Sequence, residues 1–351
     1  MSGTGNRYKG EGLNFPWAAP PEFGAFQEIA PGLLWLRLPL PYRLDHINIY
    51  LLEDRGGWAA VDAGLGDAVS RDMWEALLAG PLAGQRLTRL FVTHFHPDHV
   101  GLVGWLTEQF NIPVHMPRSE YLYSLALQYS PPDRGNDLYR AFYRAHGLSE
   151  DVIASVLSRG HEYLRQTTGV PSVFHRLEHG QELRVGQRVF QVLTGGGHAM
   201  EQAMFYCAQE QLFLAADQVI ARISPNIGVY PLEPEADSLK TYLNSLRFIT
   251  ETVPADVLVL PAHGLPFYGL HARAEALIAH HAERCSLVRL ACQAAPLSAA
   301  DLIPILFPRP LDPHQTGFAF GEVLAHVNYM LASGELQSLK GEFNIQRYLA
   351  A

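Results

Sequence analysis

Short apolar runs alternate with amphipathic segments in the first third of the chain. The runs LLWLRLPL (33–40), INIYLLE (47–53) and LTRLFVTH (87–94) are rich in β-branched, aromatic and leucine residues and have the length of strands. The segments RDMWEALLAG (71–80) and VGLVGWLTEQF (100–110) space their apolar residues as an amphipathic helix does. This alternation predicts a layered α/β architecture.

The pattern becomes helical between about residues 118 and 170. The segment SEDVIASVLSRGHEYLRQ (149–166) opens with Ser149, a typical N-cap residue, and its apolar positions share one helical face. We therefore expect a helical insertion here. From about residue 180 the strand-like runs return, and a further helix is predicted over 237–250.

The last seventy residues have a different pattern. Three helical segments, at 283–294, 296–307 and 321–336, are followed by two short strand-like runs within 337–349. Three helices and a hairpin predict a small winged-helix-like domain. We divide the chain into a catalytic domain over 1–280 and this domain over 281–351.

Composition restricts the classes of function. The 351-residue chain carries a formal net charge of −9, which disfavours a nucleic-acid scaffold. No apolar stretch approaches the roughly 20 residues needed to span a bilayer, and residues 1–17 contain no apolar segment typical of a secretion signal. The three cysteines have no metal-binding spacing and fit a reducing compartment. We expect a cytoplasmic protein.

Potential metal ligands are concentrated in THFHPDH (93–99), directly after an apolar run. His94 and His96 point to the same side of an extended chain, and Asp98 and His99 can turn back over the same spot. Imidazoles with carboxylates suit zinc or another borderline divalent metal. Three further residues of ligand type follow later strand-like runs, and they are His198, Asp217 and His263. Strand ends along one edge of a sheet are where sites form in layered α/β folds.

THFHPDH, followed in order by these three residues, resembles the metallo-β-lactamase superfamily with a glyoxalase II-like metal site. The resemblance implies a four-layer αβ/βα sandwich with two metal ions at one edge of its sheets. It assigns His94, His96 and His198 to the first metal, Asp98, His99 and His263 to the second, and Asp217 to both. It further implies that Asp62 braces the ligand loop without binding metal. The family's usual proline-containing pattern after the fourth histidine is replaced by AMEQ (199–202), which leaves the shape of that loop open.

The ligand set indicates hydrolysis. Two divalent ions about 3.5–4 Å apart can share a water and lower its pKa to about 7, so that a metal-bound hydroxide attacks the substrate. We expect two such ions, with zinc as the preferred metal and iron or manganese as alternatives. Asp98 is also the candidate catalytic residue for moving a proton.

The substrate class is narrowed by position 217 and by the C-terminal region. An aspartate at 217 resembles the glyoxalase II, RNA-processing and lactonase branches, whereas the commonest antibiotic-degrading class has a cysteine there. Residues 281–351 resemble the winged-helix module of β-lactamase-like protein 2-type members, a subgroup that includes an RNA endonuclease. However, they contain five Lys or Arg against six Asp or Glu, which is poor for binding phosphates. We favour a packing or dimerisation role for this domain.

The sequence thus predicts a dinuclear metal-dependent hydrolase of small ester-type substrates, with thioesters as the preferred class. Two alternatives stay open, a metal-dependent single-strand RNA endonuclease and an iron-dependent persulfide dioxygenase. We expect a small-molecule substrate, no nucleic-acid or membrane partner, and a possible homodimer.

The predicted insertion is rich in aromatic residues, and two interpretations of them stay open. The rings either pack the insertion against the sandwich or form a lid with an aromatic wall over the metals. They are Tyr121, Tyr123, Tyr129, Tyr139, Phe142, Tyr143 and Tyr163. Asn226 and Tyr230, just after Asp217, are further candidates for the substrate pocket.

Overall fold

The computed structural model describes residues 12–130, 136–158 and 162–351. Within these residues the chain forms two compact units. Unit 1 comprises 12–130, 162–225 and 248–274, and unit 2 comprises 136–158, 226–247 and 275–351.

Unit 1 contains a seven-stranded sheet with the strands in chain order. The strands are β1 (Phe26–Ala30), β2 (Leu33–Pro39), β3 (His46–Asp54), β4 (Gly57–Val61), β5 (Leu87–Phe91), β6 (Val114–Pro117) and β7 (His175–Leu177). The pairs from β1 to β4 are antiparallel, and those from β4 to β7 are parallel. Parallel pairing places the carboxyl ends of β4, β5 and β6 at the same edge.

A second sheet of five strands has the order β12-β11-β10-β9-β8. Its strands are β8 (Glu182–Val185), β9 (Arg188–Gly195), β10 (Gln202–Cys207), β11 (Leu212–Ala216) and β12 (Leu258–Pro261). All pairs are antiparallel except β11 with β12. The carboxyl ends of β11 and β12 therefore also share one edge.

The helices are distributed over both units. They are α1 (Ala68–Ala79), α2 (Pro97–Val100), α3 (Val103–Phe110), α4 (Arg118–Gln128), α5 (Asn136–Ala145), α6 (Glu150–Leu157), α7 (Glu162–Arg165), α8 (Ser238–Thr252), α9 (Leu270–Ala294), α10 (Ala299–Leu306) and α11 (Pro313–Ala332). No helix of the described residues is long and apolar enough to cross a bilayer.

Alternation along the strands gives unit 1 two apolar layers. Trp35, Tyr50 and Phe91 lie on the face that packs against the second sheet, in a cluster that includes Phe190 and Phe205. The intervening residues Leu36, Ile49 and Leu90 lie on the opposite face, in a cluster that includes Trp74 of α1 and Leu106 of α3. A strand buried on both faces reads as a nearly continuous apolar run, as β2 and β3 do. The predicted α/β sandwich is confirmed.

Among the described residues between β6 and β7, where the sequence predicts a helical insertion, there are four helices, α4 to α7. Its second half forms two helices, α6 and α7, and residues 159–161 of the predicted segment lie outside the described residues. Contacts assign α5 and α6 to unit 2, whereas α4 and α7 belong to unit 1.

The aromatic residues of this segment therefore serve two different cores. In unit 1, Tyr121 stacks on Phe174 with ring centroids 3.9 Å apart. In unit 2, Tyr143 packs edge-on against Phe320 of α11 at 5.0 Å, and Phe142 packs against the same ring at 5.8 Å. Tyr121 thus packs within unit 1, whereas Phe142 and Tyr143 pack within unit 2, and the lid interpretation stays a prediction.

Unit 2 contains the C-terminal elements. Ser298 caps α10 in a reciprocal capping box with Asp301. After α11 the chain forms an antiparallel hairpin of β13 (Leu336–Lys340) and β14 (Gln346–Ala350). The predicted order of helices and hairpin is present, while the winged-helix assignment stays a prediction. The boundary predicted between 280 and 281 also stays a prediction, and these two residues lie inside α9.

Candidate metal centre

The loop after β5 is held in place by a buried aspartate at the end of β4. Asp62 accepts hydrogen bonds from the Thr93 amide at 2.8 Å and the Thr93 hydroxyl at 3.0 Å. The same carboxylate lies 2.8 Å from Nδ1 of His99. Asp62 is 2% exposed and has φ of 66°, a conformation that costs energy for a residue other than glycine. It braces the loop, as the resemblance implies.

The first group of potential ligands consists of His94, His96, His198 and Asp217, whose ligand atoms all lie within 4.8 Å of one another. Nε2 of His94 is 2.8 Å from Nδ1 of His96, which is 3.0 Å from Nε2 of His198. Oδ2 of Asp217 lies 3.2 Å from Nε2 of His198. Three imidazoles and one carboxylate thus converge on a single point.

The second group consists of Asp98, His99 and His263. Nε2 of His263 lies 3.4 Å from Oδ2 of Asp98 and 3.3 Å from Oδ1 of Asp217. Nε2 of His99 lies 3.5 Å from Oδ2 of Asp217. Asp217 therefore contacts both groups, and all seven residues predicted as ligands are brought together.

Hydrogen bonds on the outer side of the rings orient three of the histidines. Nδ1 of His94 lies 3.0 Å from the Thr93 hydroxyl, and Nδ1 of His263 lies 2.7 Å from the carbonyl oxygen of His46. Nδ1 of His99 lies 2.8 Å from Oδ2 of Asp62. Each of these contacts favours a proton on Nδ1, which leaves the lone pair of Nε2 directed at the centre, as metal-binding histidines require.

Burial and neighbouring charges set the protonation of the cluster. Burial lowers the pKa of His94 and of His96 well below the ordinary value, and the adjacent imidazoles add to this effect. Burial opposes protonation of His99 as well, but the carboxylates of Asp98, Asp62 and Asp217 outweigh it and raise its pKa. Burial also opposes ionisation of Asp217, yet His263 and His99 hold its pKa well below the ordinary range. The neutral rings of His94 and His96 and the ionised carboxylate of Asp217 are the forms that bind cations.

The cluster fits divalent metal ions. Nε2 of His99 and Oδ1 of Asp217 are buried, and neither makes a hydrogen bond within the part of the chain that the structure describes. Buried polar atoms of this kind are costly without a partner, and cations between the two groups would satisfy both. The donor set of five imidazoles and two carboxylates suits zinc, iron or manganese.

Sequence reasoning missed two residues that support the ligands. Glu120 of α4 is fully buried, and its carboxylate accepts hydrogen bonds from the amides of Phe95 and Glu201, one in each of two ligand-bearing loops. Burial raises the pKa of Glu120 to about 7 in spite of these bonds. The ring of His46 accepts a hydrogen bond from the Gly264 amide at 2.8 Å and so holds the loop of His263. Glu120 lies three residues after the end of β6, so the search for acids behind strand ends could have found it.

The two candidates for the substrate pocket lie in unit 2. The amide of Asn226 donates to the carboxylate of Glu322 at 3.4 Å, and the hydroxyl of Tyr230 donates to Asn226 at 3.2 Å. These contacts give both residues a structural role within unit 2, and their role in a pocket stays a prediction.

Comparison with known proteins identifies the family. The family model described as "Metallo-beta-lactamase superfamily" matches residues 42–263, and "Metallo-beta-lactamase-like, C-terminal domain" matches residues 285–351. A β-lactamase domain protein from Burkholderia ambifaria has a similar structure, with a TM-score of 0.89 and 38% identity over 97% of this chain and 98% of that one.

Two curated relatives are more distant in sequence. The "Probable metallo-hydrolase YqjP" of Bacillus subtilis (strain 168) is 21% identical over 86% of this chain and 93% of its own length. A "Hydroxyacylglutathione hydrolase" of Bradyrhizobium sp. is 23% identical over 52% of this chain, which spans only 55% of that relative. The match to the family model, together with the converging ligands, shows that the chain belongs to the metallo-β-lactamase superfamily and is a metal-dependent hydrolase.

Proposed function

We propose that this protein is a dinuclear hydrolase of small ester-type substrates, with thioesters as the preferred class and zinc as the metal. The observation that supports the proposal is the convergence of seven ligand-type residues in two groups that share Asp217. Divalent ions bound there would lower the pKa of water and polarise the carbonyl oxygen of the substrate. This chemistry needs no serine or cysteine nucleophile.

The two carboxylates of the cluster, Asp217 and Asp98, have different proposed roles. Asp217 is 6% exposed and contacts both groups, which suits a ligand common to two ions. The side chain of Asp98 is 19% exposed, and it is therefore more accessible than Asp217 or the fully buried His99. We assign Asp98 to the second metal and, in addition, to accepting or returning a proton during hydrolysis.

The thioester preference is supported by one relative and by the charge of the chain. Hydroxyacylglutathione, which the Bradyrhizobium relative is named for, is a thioester. An endonuclease needs basic residues along the path of its substrate, whereas residues 281–351 carry one more acid than they do bases. Nucleic acid is therefore not proposed as a substrate, and dimerisation through residues 281–351 stays a prediction.

We expect the zinc-loaded protein to hydrolyse acyl thioesters and to leave labelled single-stranded RNA intact at physiological salt. In the decisive experiment, the zinc-loaded protein is incubated in parallel with thioesters of graded acyl length and with RNA. The Asp98→Ala variant tests the role of Asp98, and Asp72→Ala, a change at an exposed site, is the matched control. Thioester hydrolysis that Asp98→Ala reduces and Asp72→Ala does not would support the proposal. RNA cleavage with the same dependence on Asp98 would replace it with an endonuclease. Oxygen uptake with glutathione persulfide by iron-loaded protein would favour a dioxygenase instead.

A further inference from the structure

The first turns of α4 connect two loops that carry ligands of the first group. We name these the β5 loop (residues 92–96), which contains His94 and His96, and the β9 loop (residues 196–201), which contains His198. Oε2 of Glu120 accepts a hydrogen bond from the Phe95 amide at 3.0 Å, and Oε1 accepts one from the Glu201 amide at 2.6 Å. A single carboxylate thus bonds both loops.

The burial of Glu120 makes this connection strong. Its exposed fraction is 0%, so water does not compete for either oxygen. A buried backbone amide that loses its hydrogen-bond partner bears the full cost of desolvation. Phe95 and Glu201 are 106 positions apart in the chain, and the backbone amides of both donate to Glu120.

A second contact from the same helix strengthens the connection. The hydroxyl of Ser119 donates to Oε2 of Glu201 at 2.8 Å, so that α4 and the β9 loop exchange bonds in both directions. Glu201 belongs to AMEQ, the segment that departs from the family's proline-containing pattern. The shape of this loop is therefore maintained by α4, which is the first helix of the predicted insertion.

We propose that Glu120 is a positioning residue that fixes the distance between His198 and the pair His94 and His96, and so determines the affinity of the first metal. The inference rests on the proposed function only in that the centre binds metal, and it is independent of the substrate. Each of the three histidines lies on a loop that Glu120 bonds, whereas His99 and His263 of the second group contact Asp62 and the carbonyl oxygen of His46. Loss of Glu120 is therefore expected to affect one ion selectively.

The test is a zinc titration of the metal-free, full-length protein in competition with a chromophoric chelator. In Glu120→Gln the amide group replaces one acceptor oxygen with a donor, so that one of the two backbone amides loses its partner. We expect one zinc ion to keep the affinity it has in the wild type and the other to bind about 10–100-fold more weakly. His198→Gln, which removes a ligand of the first group, identifies the ion that is weakened.

The matched control is Glu108→Gln, an identical change at an exposed position of α3, which should leave both affinities unchanged. A Glu120→Gln protein that unfolds at lower temperature but binds both ions as the wild type does would overturn the proposal, because Glu120 would then be purely structural. If the Glu120→Gln protein does not fold, the Ser119→Ala variant is used for the test. It should weaken the binding of the same zinc ion by a smaller factor, and an unchanged affinity would overturn the proposal. Metal affinity is the readout, so a failure of the thioester assignment is seen separately in the substrate panel.

Discussion

Replacement of Asp217 by asparagine is expected to reduce hydrolysis by about 10³-fold or more, because one change weakens the binding of both ions and their polarisation of the substrate. The Asp217 carboxylate contacts ligands of both groups, at 3.2 Å from His198 and 3.3 Å from His263. Asparagine has the same shape, so the fold should persist, while its neutral amide is a poor substitute for a shared anionic ligand. The measurements are kcat/KM and the metal content of the purified variant.

The control for this prediction is Asp72→Asn, the same change at an exposed position of α1. It should retain the activity and the metal content of the wild type. Undiminished turnover by a correctly folded Asp217→Asn protein would show that the metal centre is not the active site.

Replacement of Arg89 by methionine is expected to lower the free energy of unfolding of unit 1 by about 3–5 kcal/mol, because it leaves a buried carboxylate without its cation. Arg89 of β5 donates to both oxygens of Asp54, at 2.9 and 3.0 Å, and to the carbonyl oxygen of Arg184 at 2.6 Å. The Gly186 amide also donates to Asp54, so this network joins the first sheet to the turn between β8 and β9 of the second. Denaturant unfolding of the metal-free protein measures the loss.

Arg86→Met is the matched control, because the Arg86 side chain is exposed and donates to the carbonyl oxygen of Arg55, also an exposed residue. Its effect should stay within about 0.5 kcal/mol. Burial opposes ionisation of Asp54, but the Gly186 amide, Arg89 and Thr88 together lower its pKa. The stabilisation is therefore present at neutral pH and is lost as the pH falls through the lowered pKa. Equal stability of the Arg89→Met protein and the wild type would contradict this account.

The ligand set could be predicted from the sequence because strand ends carry it. His94, Asp217 and His263 each follow an apolar run that forms a buried strand, and within each sheet a parallel pair places its strand ends at one edge. A search for ligand-type residues at such positions needs no knowledge of the pairing register. Asp62 could be assigned its bracing role only through the family resemblance.

The bonding partners of the residues that support the ligands could not be predicted in the same way, although the position of Glu120 behind a strand end could be. Glu120 bonds two amides that lie far from it in the chain, and His46 acts partly through its backbone carbonyl oxygen, which carries no side-chain signature. The grouping of α5 and α6 with α11 depends on rings such as Tyr143 and Phe320, which meet only in the folded chain. The start of α9 at Leu270 was missed because its apolar residues are spread around the helix, as in a helix buried on several sides.

The central claim is that seven residues hold two divalent ions, and anomalous X-ray diffraction from crystals of zinc-loaded protein tests it most directly. Data collected on either side of the zinc absorption edge should show two peaks in each chain. One should lie among His94, His96 and His198, the other among Asp98, His99 and His263, with Asp217 next to both. Peaks elsewhere in the chain, or no zinc peak within this cluster, would contradict the account.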